Sequence, residues 1–308
     1  MRIAIIDLGT NTFNLLVADT FDKQSWEAVY KIKEAVKLGQ GGINKGYIAS
    51  EAFQRGLDAM SRHQERLTKL GVEKTFAFGT SALRDAANGS DFINEIKTRF
   101  NIEVSIISGD KEAEFIYKGV KQTITSINER FIILDIGGGS NEFIIADQHQ
   151  FYWKESFKLG MARLMELFNP PDPATPELIH ELEAYFEKEL QSLFKAVEIY
   201  SPQILVGASG SFDSLVNMHH FEKYPDDNVL PVSQQLDLHI FYQMHSKLIR
   251  STKEERHQMK GLEPVRRDMI VPAVIFVNYI LKKLNIKKLY QSSYALKEGA
   301  LWEIMQNL

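Results

Sequence analysis

No cysteine occurs in the 308 residues. Disulfides, thiol catalysis and thiolate metal sites are therefore excluded. No apolar run approaches the roughly 20 residues of a membrane helix. Met1 to Ile6 carries neither a basic stretch nor a cleavage site, so a cytoplasmic location is expected rather than a secreted one. A basic excess is also missing, since the formal charge is -4. Neither a nucleic-acid nor a membrane partner is expected, and a polyanion would have to be held by local donors. None of the 8 histidines stands in a metal spacing such as HExxH. What is present is ordinary for a globular chain: 44% hydrophobic and 25% charged residues, at a length that suits two domains.

The chain is organised around IILDIGGGSNEFII, from Ile132 to Ile145. Two apolar runs flank Gly137, Gly138 and Gly139, and read as two strands with a tight turn between them. Glycines let several backbone N–H groups converge on one spot, which suits phosphate oxygens. Asp135 and Glu142 would repel phosphate alone but can hold a hard cation. A glycine-rich hairpin with solvated acids reads equally well from this stretch alone. The pattern recurs earlier. Shifted by 128 positions, Ile3–Asp19 matches Phe131–Asp147 without a gap, with Asp7 on Asp135 and Gly9 on Gly137. An internal duplication accounts for this better than chance, because the acid and the turn match and not only the apolar background.

The rest of the pattern is α/β. Strands are expected at 26–37, 75–79, 103–107, 151–157, 203–206 and 287–290. Helices are expected at 50–70 with Ser50 as N-cap, after a Ser90 cap, and at 111–123, 161–168, 177–200, 236–249, 266–284 and 294–307. Residues 1–123 are read as one domain and 124–308 as the second, with the closing helix, 294–308, able to pack back on the first. Three small-residue turns follow strands: LGTNT, IGGGSN and GASGS. They offer backbone N–H groups and the side chains of Thr10, Asn11, Thr12, Ser140, Ser209 and Ser211. Gly210 lies at a helix start, which favours anions. Together they signal a phosphate site between two domains.

Several segments resemble the exopolyphosphatase and guanosine pentaphosphate phosphohydrolase family of the actin-like ATPase superfamily. IDLGTNTFNLLVAD is similar to its first phosphate motif, and DIGGGSNE to its second, with Asn141 where threonine is usual. TSALRDAAN resembles the arginine-bearing motif, and ISGDKEAEFIYKGV the segment with the catalytic glutamate. KLGMARL and SYALKEGAL also match, in order. The resemblance implies two ribonuclease-H-like domains facing a cleft. It implies magnesium-dependent release of terminal phosphate from inorganic polyphosphate or from guanosine pentaphosphate. Longer family members add helical domains, and this chain resembles the short form. Whether it works as a monomer or a homodimer stays open.

The resemblance places the catalytic glutamate at Glu112, flanked by Lys111 and by Glu114 where arginine is common. Without the resemblance Glu112 reads as a helix-start acid favoured by the dipole. Asp135 and Glu142 are the expected magnesium carboxylates, with Asp7 as the duplicate partner of Asp135. Arg84 suits a phosphate clamp, because guanidinium bonds phosphate bidentately, or else a salt bridge with Asp85 or Asp91. Lys31, Lys33, Lys37, Arg55, Lys154, Lys158, Arg163, Arg266 and Arg267 are candidates for a polyphosphate path, or are solvated charges. An actin-like kinase or ATPase is a rival reading. A non-catalytic polyphosphate or alarmone sensor is another.

Overall fold

The computed structural model of the protein describes residues 1–226 and 230–308. Strands β1 (Arg2–Leu8), β2 (Thr12–Thr20), β3 (Trp26–Ala35), β4 (Lys74–Gly79) and β5 (Val104–Ile106) form a sheet in the order β3-β2-β1-β4-β5. The second sheet contains β6 (Phe131–Ile136), β7 (Asn141–Ala146), β8 (Phe151–Phe157), β9 (Ile204–Ala208), β10 (Ser233–Leu236) and β11 (Lys288–Ser292). Its order is β10-β11-β9-β6-β7-β8. Each sheet therefore runs from an antiparallel meander into parallel strands, and the second adds the antiparallel edge strand β10.

The helices are α1 (Ser50–Lys69), α2 (Ser81–Asp85), α3 (Gly89–Phe100), α4 (Gly109–Val120), α5 (Met161–Phe168) and α6 (Pro176–Glu189). They continue as α7 (Gln191–Tyr200), α8 (Gly210–Lys223), α9 (Leu238–Arg250), α10 (Lys253–Gln258), α11 (Ile270–Lys283) and α12 (Leu296–Gln306). No helix of the described residues is long and apolar enough to cross a membrane.

Alternation along β1 and β6 divides the core into three. Ala4 and Ile6 face Leu57 and Met60 of α1 and Phe92 of α3. Ile132 and Leu134 face Phe186 of α6, Phe241 of α9 and Phe276 of α11. The other faces, Ile3 and Ile5 on one sheet and Ile133 and Val206 on the other, enclose a shared layer with Phe115 and Ile116 of α4 and Leu301 of α12. Central strands buried on both faces need such unbroken apolar runs. The order is therefore helices, sheet, α4 with α12, sheet, helices. Two glycines make the middle layer possible. A Cβ on Gly299 would lie 1.7 Å from the Phe115 carbonyl oxygen, and one on Gly119 would lie 2.1 Å from that of Ala295. α12 also lies against β1 and β2.

Several element boundaries differ from the sequence expectation. Ala49, not Ser50, precedes α1, and Asn88, not Ser90, precedes α3. Asn88 is used instead to tie the chain at Ile48, whose N–H it accepts at 2.8 Å. The expected single helix over 177–200 is two. Leu190 leaves helical geometry (φ -100°, ψ 20°) and is itself fully buried, so core packing takes precedence over the continuous pattern. Arg266 belongs to a 3-10 turn, Pro264–Arg266, and α11 begins at Ile270. Strand β10 was not expected, because its SQQL sequence has no apolar alternation to announce it.

Candidate functional site

The two hairpins are built alike. In β1–β2 the cross-strand pairs run from Ile3 with Ala18 to Asp7 with Asn14. In β6–β7 they run from Phe131 with Ala146 to Asp135 with Glu142. The turns close identically, Gly9 N–H to Thr12 C=O at 3.1 Å and Gly137 N–H to Ser140 C=O at 3.1 Å. Both turns point at one pocket of about 110 Å³ between the sheets. They also touch each other. A Cβ on Gly138 would meet Asn11 Cβ at 3.1 Å, and one on Gly139 would meet Thr10 Oγ1 at 2.4 Å. At Gly138 the missing Cβ lets the turn approach the Asn11 backbone, and at Gly139 it leaves room for the Thr10 and Ser81 hydroxyls.

The third turn arrives from β9. Ser209 adopts φ +70°, a left-handed conformation that costs free energy and is characteristic of sites. It sends the chain into α8, whose N-terminal Gly210 lines the pocket. Glu112 comes from the first turn of α4. Ser108 caps that helix by accepting the Lys111 N–H at 3.2 Å, which fixes the turn that carries Glu112. Arg84, at the end of α2, donates to Glu112 Oε2 at 3.1 Å and to the Ile107 carbonyl at 2.9 Å.

Five acids share this pocket, and their carboxyls are all raised, Asp213 by burial with Lys33 opposing. Burial, and then the nearby Glu142, lift Glu112 well above the usual carboxylate range, with Arg84 opposing. Glu142 is pushed up to about 7 by burial and by Asp135, although the Ser156 hydroxyl donates to it at 2.7 Å. Asp7 rises to about 6 through burial, partly relieved by the Asn14 side-chain amide, which donates at 2.8 Å. Asp135 is raised by burial, with Ser209 and Arg266 opposing. The donors are hard oxygens that would be relieved by a cation, which fits magnesium in kind. Among the described residues, however, no three histidines or acids stand close enough to form a ready cage. A magnesium ion that keeps most of its own waters suits such a set.

Of the residues expected from sequence, the pocket gathers Asp7, Thr10, Asn11, Thr12, Glu112, Asp135, Gly137, Gly138, Gly139, Ser140, Glu142, Ser209 and Gly210, and of the candidate path residues Lys33 and Arg266. Ser211 is buried in α8 outside the lining. Arg84 also lies outside it, and its ion-pair partner is Glu112, neither Asp85 nor Asp91. Asp85 is taken instead by Arg163 and by Lys158, the latter at 3.0 Å. Asn11 is 4% exposed, and neither end of its amide has a partner among the described residues. Buried amides without partners are costly, so this one is available to a ligand.

The two departures from the family pattern fall away from the pocket lining. Asn141 donates to the Leu159 carbonyl at 2.9 Å, and Glu114 pairs with Lys154 and Lys111. Sequence reasoning missed Asp213 and Lys297, which also line the pocket. Lys297 is 16% exposed and pairs with Glu298 at 3.1 Å. Burial lowers its ammonium pKa, but Glu298, Asp213 and Asp7 outweigh that and raise it. The available signals were that Asp213 follows the GASGS turn by two residues and that Lys297 lies inside SYALKEGAL, a segment that also matches the family.

The Ppx/GppA phosphatase family matches residues 16–308. A putative exopolyphosphatase of Haemophilus influenzae is 27% identical over 99% of this chain and 92% of its own length. A guanosine-5'-triphosphate,3'-diphosphate pyrophosphatase of Vibrio vulnificus is 30% identical over 99% of this chain, which spans 59% of that relative. Among solved structures, an exopolyphosphatase from Cytophaga hutchinsonii superposes with a TM-score of 0.95 at 36% identity. That match covers 100% of this chain and 99% of the other. The Aquifex aeolicus Ppx/GppA family member shares the fold, with a TM-score of 0.80 at 22% identity over 100% of this chain and 98% of its own.

Proposed function

The chain belongs to the Ppx/GppA phosphatase family, and on that premise we propose that it is an exopolyphosphatase, releasing terminal orthophosphate from inorganic polyphosphate. The observation that carries this reading is convergence. Two glycine turns, the α8 N-terminus and the Arg84-paired Glu112 meet at one pocket. Phosphoryl transfer needs charge neutralisation, placement of a water in line and a group to orient it.

In this reading the turns 9–12 and 137–140 hold the terminal phosphate through N–H groups and the hydroxyls of Thr10, Thr12 and Ser140. Glu112, its carboxyl raised by burial and by Glu142, accepts a proton from the water. The water oxygen bonds to the terminal phosphorus as the bridging P–O bond breaks. The shortened chain keeps the bridging oxygen, and the proton passes from Glu112 to solvent. Arg84 holds Glu112 in place and opposes the rise in its carboxyl. Asp135 and Glu142, with Asp7, would hold magnesium through water, and the ion would supply charge neutralisation at phosphate oxygens.

One observation favours guanosine pentaphosphate as a second substrate reading. A cavity of about 340 Å³ adjoins the cradle through Thr10 and Asn11, and Met165, Met269, Val271 and Pro272 contribute an apolar lining. That is room for a nucleoside beside a bound phosphate. Phosphate release is measured side by side on short polyphosphate, long polyphosphate, guanosine pentaphosphate and ATP. Release from polyphosphate that is lost in Glu112→Gln supports the proposal. Release from guanosine pentaphosphate alone supports the second reading, and binding without release points to a sensor.

A further inference from the structure

Two lysines on the first domain's side of the cleft reach across to a single segment of the second, Glu263–Asp268. Lys33 Nζ lies 3.1 Å from Glu263 Oε1 and 3.4 Å from Asp213 Oδ2. Lys37 Nζ lies 3.3 Å from Asp268 Oδ2. Arg266 stands between these two acids in the chain. Its guanidinium lies on the start of α8, where a Cβ on Gly210 would meet its Nε and Nη2 at 2.7 Å. Arg266 is 7% exposed, lines the phosphate pocket, and its Nε has no partner. A buried guanidinium nitrogen without an acceptor is costly, and a phosphate oxygen would complete it.

We propose that Glu263 and Asp268 form an electrostatic latch. Docking on Lys33 and Lys37 closes the cleft and seats Arg266 against an oxygen of the phosphate next to the terminal one. The seating rests on the phosphohydrolase reading; the latch itself does not. The pairs suit a latch because they are partly exposed, with Lys37 at 41% and Glu263 at 27%. Such pairs are individually weak and are screened by salt, so the cleft can open to admit substrate. The touching of the turns at Gly138 and Asn11 is what a closed latch produces. Glu263, Asp268, Lys33 and Lys37 are positioning residues, and Arg266 is the binding residue.

The absence of native cysteine allows spin labels at Glu51→Cys on α1 and Lys195→Cys on α7, both exposed. Interdomain distances are measured without ligand as salt shortens the Debye length from about 10 Å to about 3 Å. The expected result is a narrow distribution at low salt that broadens in Glu263→Gln/Asp268→Asn and at high salt. The charge exchange Lys37→Glu/Asp268→Lys, made with Lys253→Gln because Lys253 also holds Asp268 at 3.1 Å, should keep the distribution narrow. Identical distributions in all variants would overturn the latch. Affinity for inorganic tripolyphosphate, by calorimetry, is the second arm. Glu263→Gln should weaken it about tenfold, or ~1.4 kcal/mol. Arg266→Ala should do the same with ligand-free distances unchanged. If Glu263 merely competes with phosphate for Lys33, Glu263→Gln binds tighter, and the proposal falls. If the wild type binds no tripolyphosphate, the seating falls with the phosphohydrolase reading, while the distances still judge the latch.

Discussion

The β1–β2 and β6–β7 hairpins share their register, their turn hydrogen bond and even their irregularity. Pairing with the third strand shifts between Val17 and Ala18 in one, and between Ile145 and Ala146 in the other. Their charge differs at one cross-strand position. Asp7 faces Asn14, whose amide satisfies it, and Lys33 follows on β3. Asp135 faces Glu142, a second acid, and only Ser156 follows on β8. The first hairpin is thus closer to electrostatic balance, whereas the second carries a like-charge pair in a buried place. Duplicated backbone supplied the two-sided cradle. Side-chain divergence at one register position decided which side carries the charge that a cation would relieve.

Removing the group that both hairpins serve should have the largest effect. Glu112→Gln should lower turnover on the order of 10²–10⁴-fold with the fold intact by circular dichroism. Near-normal turnover would leave the comparison without a reaction at its centre. Glu142→Asn makes the second hairpin copy the first. Its carboxyl sits at about 7 in the folded chain against an ordinary 4.5. Wild type therefore draws stability from protonating it that is complete below about pH 4.5 and lost as pH rises through 7. The variant should gain up to about 3 kcal/mol at pH 8 in urea unfolding without divalent cations. That gain should shrink toward pH 5. A variant less stable at pH 8 would mean that the acid pair is not strained.

Asn14→Asp performs the reverse exchange. It removes the donor to Asp7 and adds a like charge, and should cost about 1–3 kcal/mol at pH 8 by the same method. No cost would show the two hairpins to be electrostatically equivalent. Arg84→Gln probes the partner that opposes the rise in Glu112. Without it Glu112 holds its proton to higher pH, so the acid limb of the pH–rate profile should move upward. An unmoved limb would detach Glu112 from that limb. The smallest effect is expected at Asn141→Thr, about 1 kcal/mol of stability through the lost bond to Leu159. A large change in turnover would place Asn141 in the site after all.

Most of the cradle was legible in sequence because it is local. A glycine turn between apolar runs, with an acid before it, specifies a hairpin and what its turn presents. The duplication could be read residue for residue, since register follows from turn geometry. The split at Leu190, the edge strand at Ser233–Leu236 and the partner of Arg84 were not legible. Each is decided by residues distant in sequence that compete for the same space or charge.

By itself, then, the sequence determined the two hairpins, their three small-residue turns and the α/β alternation, because strand period, glycine and helix spacing act over a few residues. Only the tertiary structure decided that the turns touch, that Glu112 pairs with Arg84, and that Lys297 and Arg266 enter the same pocket. Those facts depend on the packing of α4 against α12 and on charges meeting across the cleft. Both are long-range matters, in which burial and Coulomb interaction override local preference.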